Sequence, residues 1–101
     1  MTVKGQLHGC RDSLMAGMRA ASRGIPNAKA EALLRACMDL VEHLVRQSLD
    51  VTTAEVETTL GVLDNAYAEM ETEVGGTHGA TVALKNAIGK LRALRIELTA
   101  K

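Results

Sequence analysis

The chain has 101 residues, no formal net charge, 47% hydrophobic residues and 24% charged residues. This is an ordinary globular composition, and the length predicts a single domain over residues 1–101. A neutral chain lacks the basic surplus that attracts nucleic acid or anionic lipid, and Tyr67 is its only aromatic residue, so rings for stacking on exposed bases are missing. We therefore expect neither a nucleic acid nor a membrane as its partner.

The sequence also predicts a cytoplasmic protein. No apolar segment approaches the roughly 20 residues that span a bilayer. The Leu7-His8-Gly9-Cys10 segment resembles a lipoprotein cleavage box, but no apolar stretch precedes it, so we expect no signal peptide. In the cytoplasm, Cys10 and Cys37 would remain thiols.

The first predicted helix covers residues 3–23 and ends at Gly24 and Pro26, which disfavour its continuation. Apolar residues recur along it at alternating spacings of four and three, which is typical of a narrow helical seam. This seam consists of Val3, Leu7, Cys10, Leu14, Met18 and Ala21. Small residues form a strip away from the seam, where another backbone has room to approach: Gly5, Gly9, Ala16 and Ala20.

The second predicted helix, residues 27–49, has the broadest apolar face of the chain. At about 100° per residue its two adjacent apolar stripes together span roughly 160°. One stripe consists of Ala30, Leu33, Cys37, Leu40 and Leu44, and the other of Leu34, Met38, Val41 and Val45. Such a helix is either the central element of a bundle or buries part of its face in another subunit.

The third and fourth predicted helices, residues 53–74 and 79–100, have opposite charge. The segment from Thr52 to Glu55 has the spacing of a capping box and opens the third helix, which contains no basic residue. Its seam is Val56, Leu60, Leu63, Tyr67, Met70 and Val74. The mostly basic fourth helix has the stripe Leu84, Ala87, Ile88, Leu91, Leu94 and Leu98. We expect the two to pair with their flanking charges matched.

Four helices of similar length joined by short connections predict an all-α, antiparallel up-down four-helix bundle. Two surfaces stay available for partners in this arrangement. One lies on the second helix at Leu34, Met38, Val41 and Val45, and the other on the fourth helix at Val82, Gly89, Ala93 and Ile96. Together they exceed the apolar surface that a monomer needs, which favours a homodimer or a higher homo-oligomer.

His43 is the strongest single candidate for a residue with a chemical role. It is followed by Arg46, Gln47 and Ser48 in a string that resembles the signature of histidine phosphotransfer domains, which are four-helix bundles. That resemblance implies a phosphoacceptor at His43, with Arg46 one turn on to neutralise the phosphoryl group. Gln47 replaces the glycine of the signature, and the alternative interpretation is a solvated surface histidine.

Metal or redox chemistry is a third hypothesis. The Gly5-Gln6-Leu7-His8-Gly9 element resembles one found in copper-sensing helical repressors, whose downstream Cys and His ligands are missing from this chain. Cys10 and Cys37 both lie on apolar stripes, where a cysteine usually acts as a small hydrophobic residue.

The sequence therefore favours a non-enzymatic interaction module without a cofactor, acting on another protein as a regulator, inhibitor, adaptor or chaperone. Histidine phosphotransfer and metal or redox sensing remain the alternatives.

Overall fold

A computed structural model describes residues 3–23, 27–47 and 50–100 of the chain. These residues form four α-helices: α1 (Val3–Ser22), α2 (Ala28–Gln47), α3 (Thr53–Val74) and α4 (Gly79–Thr99). The four predicted helices are confirmed to within two residues at each end, and no strand occurs in the described ranges. The predicted break at Gly24 and Pro26 and the predicted end of the second helix at residues 48 and 49 lie outside the described residues.

The helices pack in cyclic order, each against the next along the chain, and α4 closes the bundle against α1. Successive helices joined by short connections run antiparallel, so the up-down four-helix bundle is confirmed. The bundle measures 44 × 20 × 19 Å, and its most extensive helix pair is α1–α4. No helix is central, because each one contacts two neighbours.

Leucine is the most frequent residue of the core. Each fully buried Leu or Met side chain contributes about 1.5–3 kcal/mol through the hydrophobic effect, so aliphatic side chains replace the missing aromatic rings. The largest of them are Leu7, Leu14, Leu34, Leu44, Leu63, Met70, Leu84, Leu91 and Leu94. Tyr67 is only half-buried although it belongs to the predicted seam. Thr59 and Ala66, which are not part of that seam, are buried.

Side chains cap three of the helices. The capping box of α3 is confirmed: Thr52 Oγ1 accepts from the Glu55 amide at 3.2 Å, and Glu55 Oε1 accepts from the Thr52 amide at 3.2 Å. Asn27 Oδ1 accepts from the Ala30 amide at 2.9 Å at the start of α2. His78 Nδ1 accepts from the Ala80 amide at 3.0 Å at the start of α4. These caps satisfy amide groups that have no partner within their helix.

Small residues bring α1 and α4 close together. A Cβ added at Gly17 would lie 3.0 Å from Ala83 Cβ, and one added at Gly79 would lie 2.9 Å from Ala20 Cβ. The predicted strip of small residues on the first helix is thus partly an internal surface, because Ala20 faces α4 and Gly9 lies beside Lys90.

The predicted charge matching between α3 and α4 is limited in the described part of the chain to Arg92 and Asp64, 3.3 Å apart. Glu73 of α3 instead pairs with Lys29 of α2 at 3.9 Å. Lys90 of α4 turns towards α1. Because such exposed pairs are worth about 0–1 kcal/mol each, apolar packing and not charge sets the order of the helices.

Candidate functional site

The outward face of α4 carries an apolar stripe. Val82, Gly89 and Ile96 are spaced seven residues apart, so they line one side of the helix. Ile96 is 63% exposed and Val82 is 45% exposed, the highest values among the large hydrophobic residues of the described chain. Ala93 is exposed on the same side, and a Cβ added at Gly89 would meet no atom within 4 Å. The predicted residues of the fourth helix therefore do share one open surface.

Charged residues of both signs flank this stripe. By helical geometry Lys85 and Arg92 lie along its α3 side, where Glu57 of α3 also lies beside Ile96. Glu97 lies along its α1 side, with Lys90 further round the helix. Arg92 pairs with Asp64 of α3, so much of its charge is balanced within the bundle. The stripe is thus an apolar strip with borders of mixed charge.

The predicted surface on α2 is corrected by the structure. Leu34 and Val41 are fully buried, and Met38 and Val45 are half-buried and pack against the core. The broad apolar face of α2 is used within the bundle because the helix contacts both α1 and α3. A helix with two neighbours needs a wider apolar face than the single seam of a two-stranded coil.

A groove of about 300 Å³ lies between the first turns of α1 and the second half of α4. Its described lining is Gly5, Gln6, Gly9, Lys90 and Ala93. Gln6 is only 8% exposed, and its Oε1 is buried without a hydrogen-bond donor. Sequence reasoning missed this site because a glutamine beside an apolar seam gives no signal that it will be buried.

His43 is exposed on α2, at the edge of a second groove of about 300 Å³ between α2 and α3. Leu40, Leu44 and Thr58 are among the residues that line this groove. Arg46, the predicted neutralising residue, lies 4.0 Å from Glu42 within the same helix. The third residue of the predicted signature, Ser48, lies outside the described residues.

The two cysteines are core residues. Cys10 and Cys37 are both fully buried, and Cys10 Sγ donates to the Ala87 carbonyl at 3.5 Å. Burial raises the pKa of Cys10 to about 12, partly offset by the nearby Lys90 charge, and raises the pKa of Cys37 to about 11. Both thiols therefore stay protonated at neutral pH, which makes them poor nucleophiles and poor metal ligands.

No three His, Cys, Asp or Glu side chains converge on a metal position in the ranges that the structure describes. The predicted copper-sensor-like element from Gly5 to Gly9 forms part of α1. His8 is half-buried there, and Cys10 lies in the core.

Comparison of the sequence with models of known protein families finds no family that matches. Searches of curated proteins and of solved structures likewise find no match. Among the described helices, none combines the length and the apolar character that crossing a bilayer requires.

Proposed function

We propose that this protein is a non-enzymatic interaction module that docks the outward face of α4 on a partner helix, either of a second copy of the chain or of another protein. The observation that supports this proposal is the exposure of Ile96 and Val82, 63% and 45%, on one stripe centred on Gly89. Removing apolar surface from water is favourable by about 25 cal/mol per Å². A glycine between the two side chains lets a partner helix approach the α4 backbone closely.

The length of the stripe suits a helical partner. From Val82 to Ile96 the helix rises roughly 21 Å at about 1.5 Å per residue, which is four turns of a partner helix. An amphipathic helix laid along it would present anchors at helical spacing. A loop or a flat sheet would leave part of this narrow strip uncovered.

A second copy of the chain is the simplest occupant. Two-fold antiparallel pairing about Gly89 would place Val82 opposite Ile96 of the partner subunit. The same pairing brings Lys85 near Arg92 of the partner subunit, and the repulsion is offset by Asp64, which lies 3.3 Å from Arg92 within each copy. Because Asp64 and Glu57 lie among these basic residues and salt screens charges of both signs, we expect this dimer to depend little on salt, whereas binding to an acidic helix of another protein would weaken as salt rises.

Light scattering during size-exclusion chromatography tests the proposal. The wild-type chain should elute as a dimer and the Ile96→Asp variant as a monomer, because the substitution places a charge against the apolar Val82 of the partner subunit. Val62→Asp is the matched control, since Val62 is 37% exposed but lies on α3. Both are surface changes, expected to alter the free energy of unfolding by no more than about 0.5 kcal/mol.

The proposal is contradicted if the wild-type chain stays monomeric at all concentrations and salt levels and its cross-linking to host proteins is the same in Ile96→Asp. Loss of the dimer in both variants would also contradict it, because the effect would then not depend on the α4 stripe.

A second candidate function is phosphotransfer at His43. The observation that favours it is that His43 is exposed on a helix of a four-helix bundle and borders an open groove. An imidazole nitrogen of His43 would attack the phosphorus of a phospho-aspartate on a receiver domain, and the aspartate carboxylate would leave. The chain should then take up an acid-labile label from a phosphorylated receiver, lose it in His43→Gln and keep it in His8→Gln. An unlabelled wild-type chain would end this hypothesis.

A further inference from the structure

The groove between α1 and α4 is lined in part by Gln6, a side chain whose amide oxygen the bundle leaves without a hydrogen-bond donor. Gln6 is more than nine-tenths buried, it lines the groove, and its Oε1 accepts no hydrogen bond from the described residues. We propose that this groove binds a carboxylate with an adjacent N–H, which is the chemistry of the last residue of a peptide chain. The inference rests on the proposed function, since it names a second feature of a protein partner that the module would recognise.

The Gln6 side chain is the reason why we expect the ligand to carry an N–H group. An acceptor that has lost its water and gained no donor is unfavourable, so a ligand N–H that the Gln6 amide turns to meet would relieve a cost that the fold already bears. Rotating the amide exchanges the positions of Oε1 and Nε2. The same side chain can therefore accept from the N–H or donate to the carboxylate of a terminal peptide unit. An entirely apolar ligand would leave Gln6 Oε1 without a hydrogen-bond donor.

Lys90 is the reason why we expect the ligand to carry a carboxylate. Its Nζ donates to the Gly9 carbonyl at 3.3 Å and to Ser13 Oγ at 3.0 Å, so the ammonium group is held at the groove. An ammonium group has three hydrogens, which leaves one donor for a ligand. Lys90 is the only charged residue in the described lining, so it favours an anionic oxygen there.

The shape of the groove limits the size of the ligand. Two of its lining residues, Gly5 and Gly9, have no side chain, and Ala93 contributes only a methyl group. The volume of about 300 Å³ is at the small end of the range for ligand sites, about 300–1,000 Å³. A terminal residue with a small side chain therefore fits better than a longer segment lying across the groove.

The groove also adjoins the exposed stripe of α4. Ala93 belongs to both surfaces, and Ile96 lies about one turn further along the same helix. A partner helix on the stripe could thus place its own C-terminal residue at Lys90 and Gln6. The two contacts remain separable, because Ile96 is not among the described lining residues.

Nuclear magnetic resonance titration of the full ¹⁵N-labelled chain tests the proposal with N-acetyl-alanyl-alanine as the probe. The free acid should shift the amide signals of Gly5, Gly9 and Ala93 saturably, and the same peptide with a C-terminal amide should bind at least about tenfold more weakly, since a charge-assisted bond is lost. N-acetyl-alanine separates the two sources of this chemistry: equal affinity indicates a free N-acyl amino acid, and tighter binding of longer peptide acids indicates a polypeptide terminus.

Two variants locate the site. Gln6→Met keeps the side-chain length and removes the amide, and Lys90→Met removes the ammonium; each should weaken binding of the acid at least about tenfold. Lys85→Met is the matched control, because Lys85 lies on the other border of the stripe and should bind the acid like the wild type. Circular dichroism melts show whether each variant is folded before it is titrated.

The proposal is overturned if the acid produces no saturable shifts, if acid and amide bind equally, or if folded Gln6→Met binds like the wild type. Failure of the proposed function gives a different result. Ile96→Asp then associates like the wild type, while the peptide acid still shifts the amide signals of Gly5 and Gly9.

Discussion

Replacing Gly17 by alanine tests whether close helix approach shapes this bundle. A Cβ at Gly17 would lie 3.0 Å from Ala83 Cβ and 3.4 Å from two Leu34 methyl carbons. Ala83 Cβ is fixed to the backbone, so relief requires α1 and α4 to separate by a few tenths of an ångström. Gly61 is the matched control, because it also lies inside a helix but a Cβ there would meet no atom within 4 Å.

The two substitutions share the same helix-propensity term, so their difference isolates packing. Glycine to alanine inside a helix stabilises by about 1 kcal/mol, and this full gain is expected for Gly61→Ala. Overpacking a well-filled core costs about 1–3 kcal/mol, so Gly17→Ala should be between neutral and about 2 kcal/mol destabilising. The free energies of unfolding of the two variants should therefore differ by about 1–3 kcal/mol.

Urea unfolding followed by circular dichroism at constant pH measures this difference. In a domain of this size, 1 kcal/mol also moves the melting temperature by about 4–8 °C. Ala83→Gly alone loses the helix-propensity term, so a double-mutant cycle with Gly17→Ala is needed to isolate the contact, and it should give a favourable coupling between the two substitutions. If Gly17→Ala stabilises as much as Gly61→Ala, the close approach of α1 and α4 does not limit packing and the reasoning is refuted.

Three further predictions concern the α4 cap and the buried thiols. His78→Ala should cost about 0.5–2 kcal/mol, because the Ala80 amide loses its acceptor, while His78→Asn should retain most of the stability in the same urea titrations. Cys10 and Cys37 should react with a thiol reagent only as fast as the chain opens, since both are fully buried. Their folded pKa values, raised by burial to about 12 and about 11, exceed the ordinary value of 9.0, so their contribution to stability is complete below pH 9 and is lost as the pH rises towards 11. Urea titrations at pH 8 and pH 10 should show the decrease, and an equal stability at both pH values would contradict it.

Features that depend on neighbours along the chain were predicted well. The α3 capping box needs only Thr52 and Glu55 at the correct spacing, and it forms as expected. Burial of Leu7, Leu14 and Leu91 follows from apolar residues at helical spacing. The His78 cap was not predicted, because histidine is not among the residues that commonly cap helices.

The candidate sites were predicted only in part. The α4 stripe was found because seven-residue spacing sets Val82 and Ile96 on one side of the helix whatever surrounds it. The α2 surface was wrong at Leu34 and Val41, since a stripe on a broad apolar face looks the same in sequence whether a second neighbour covers it or not. The Gln6 groove requires α4 to lie beside α1, which brings together Gln6 and Lys90, 84 positions apart in the chain.

The sequence by itself determined that this chain forms four amphipathic helices and roughly where they lie along it, because helical periodicity and capping residues act over a few residues. Only the tertiary structure decided which helices touch. It placed Gly17 against Ala83, turned Lys90 from α3 towards α1, and enclosed Gln6 in a groove. These outcomes depend on how closely two distant backbones can approach, and the fit of side chains across the bundle settles that distance.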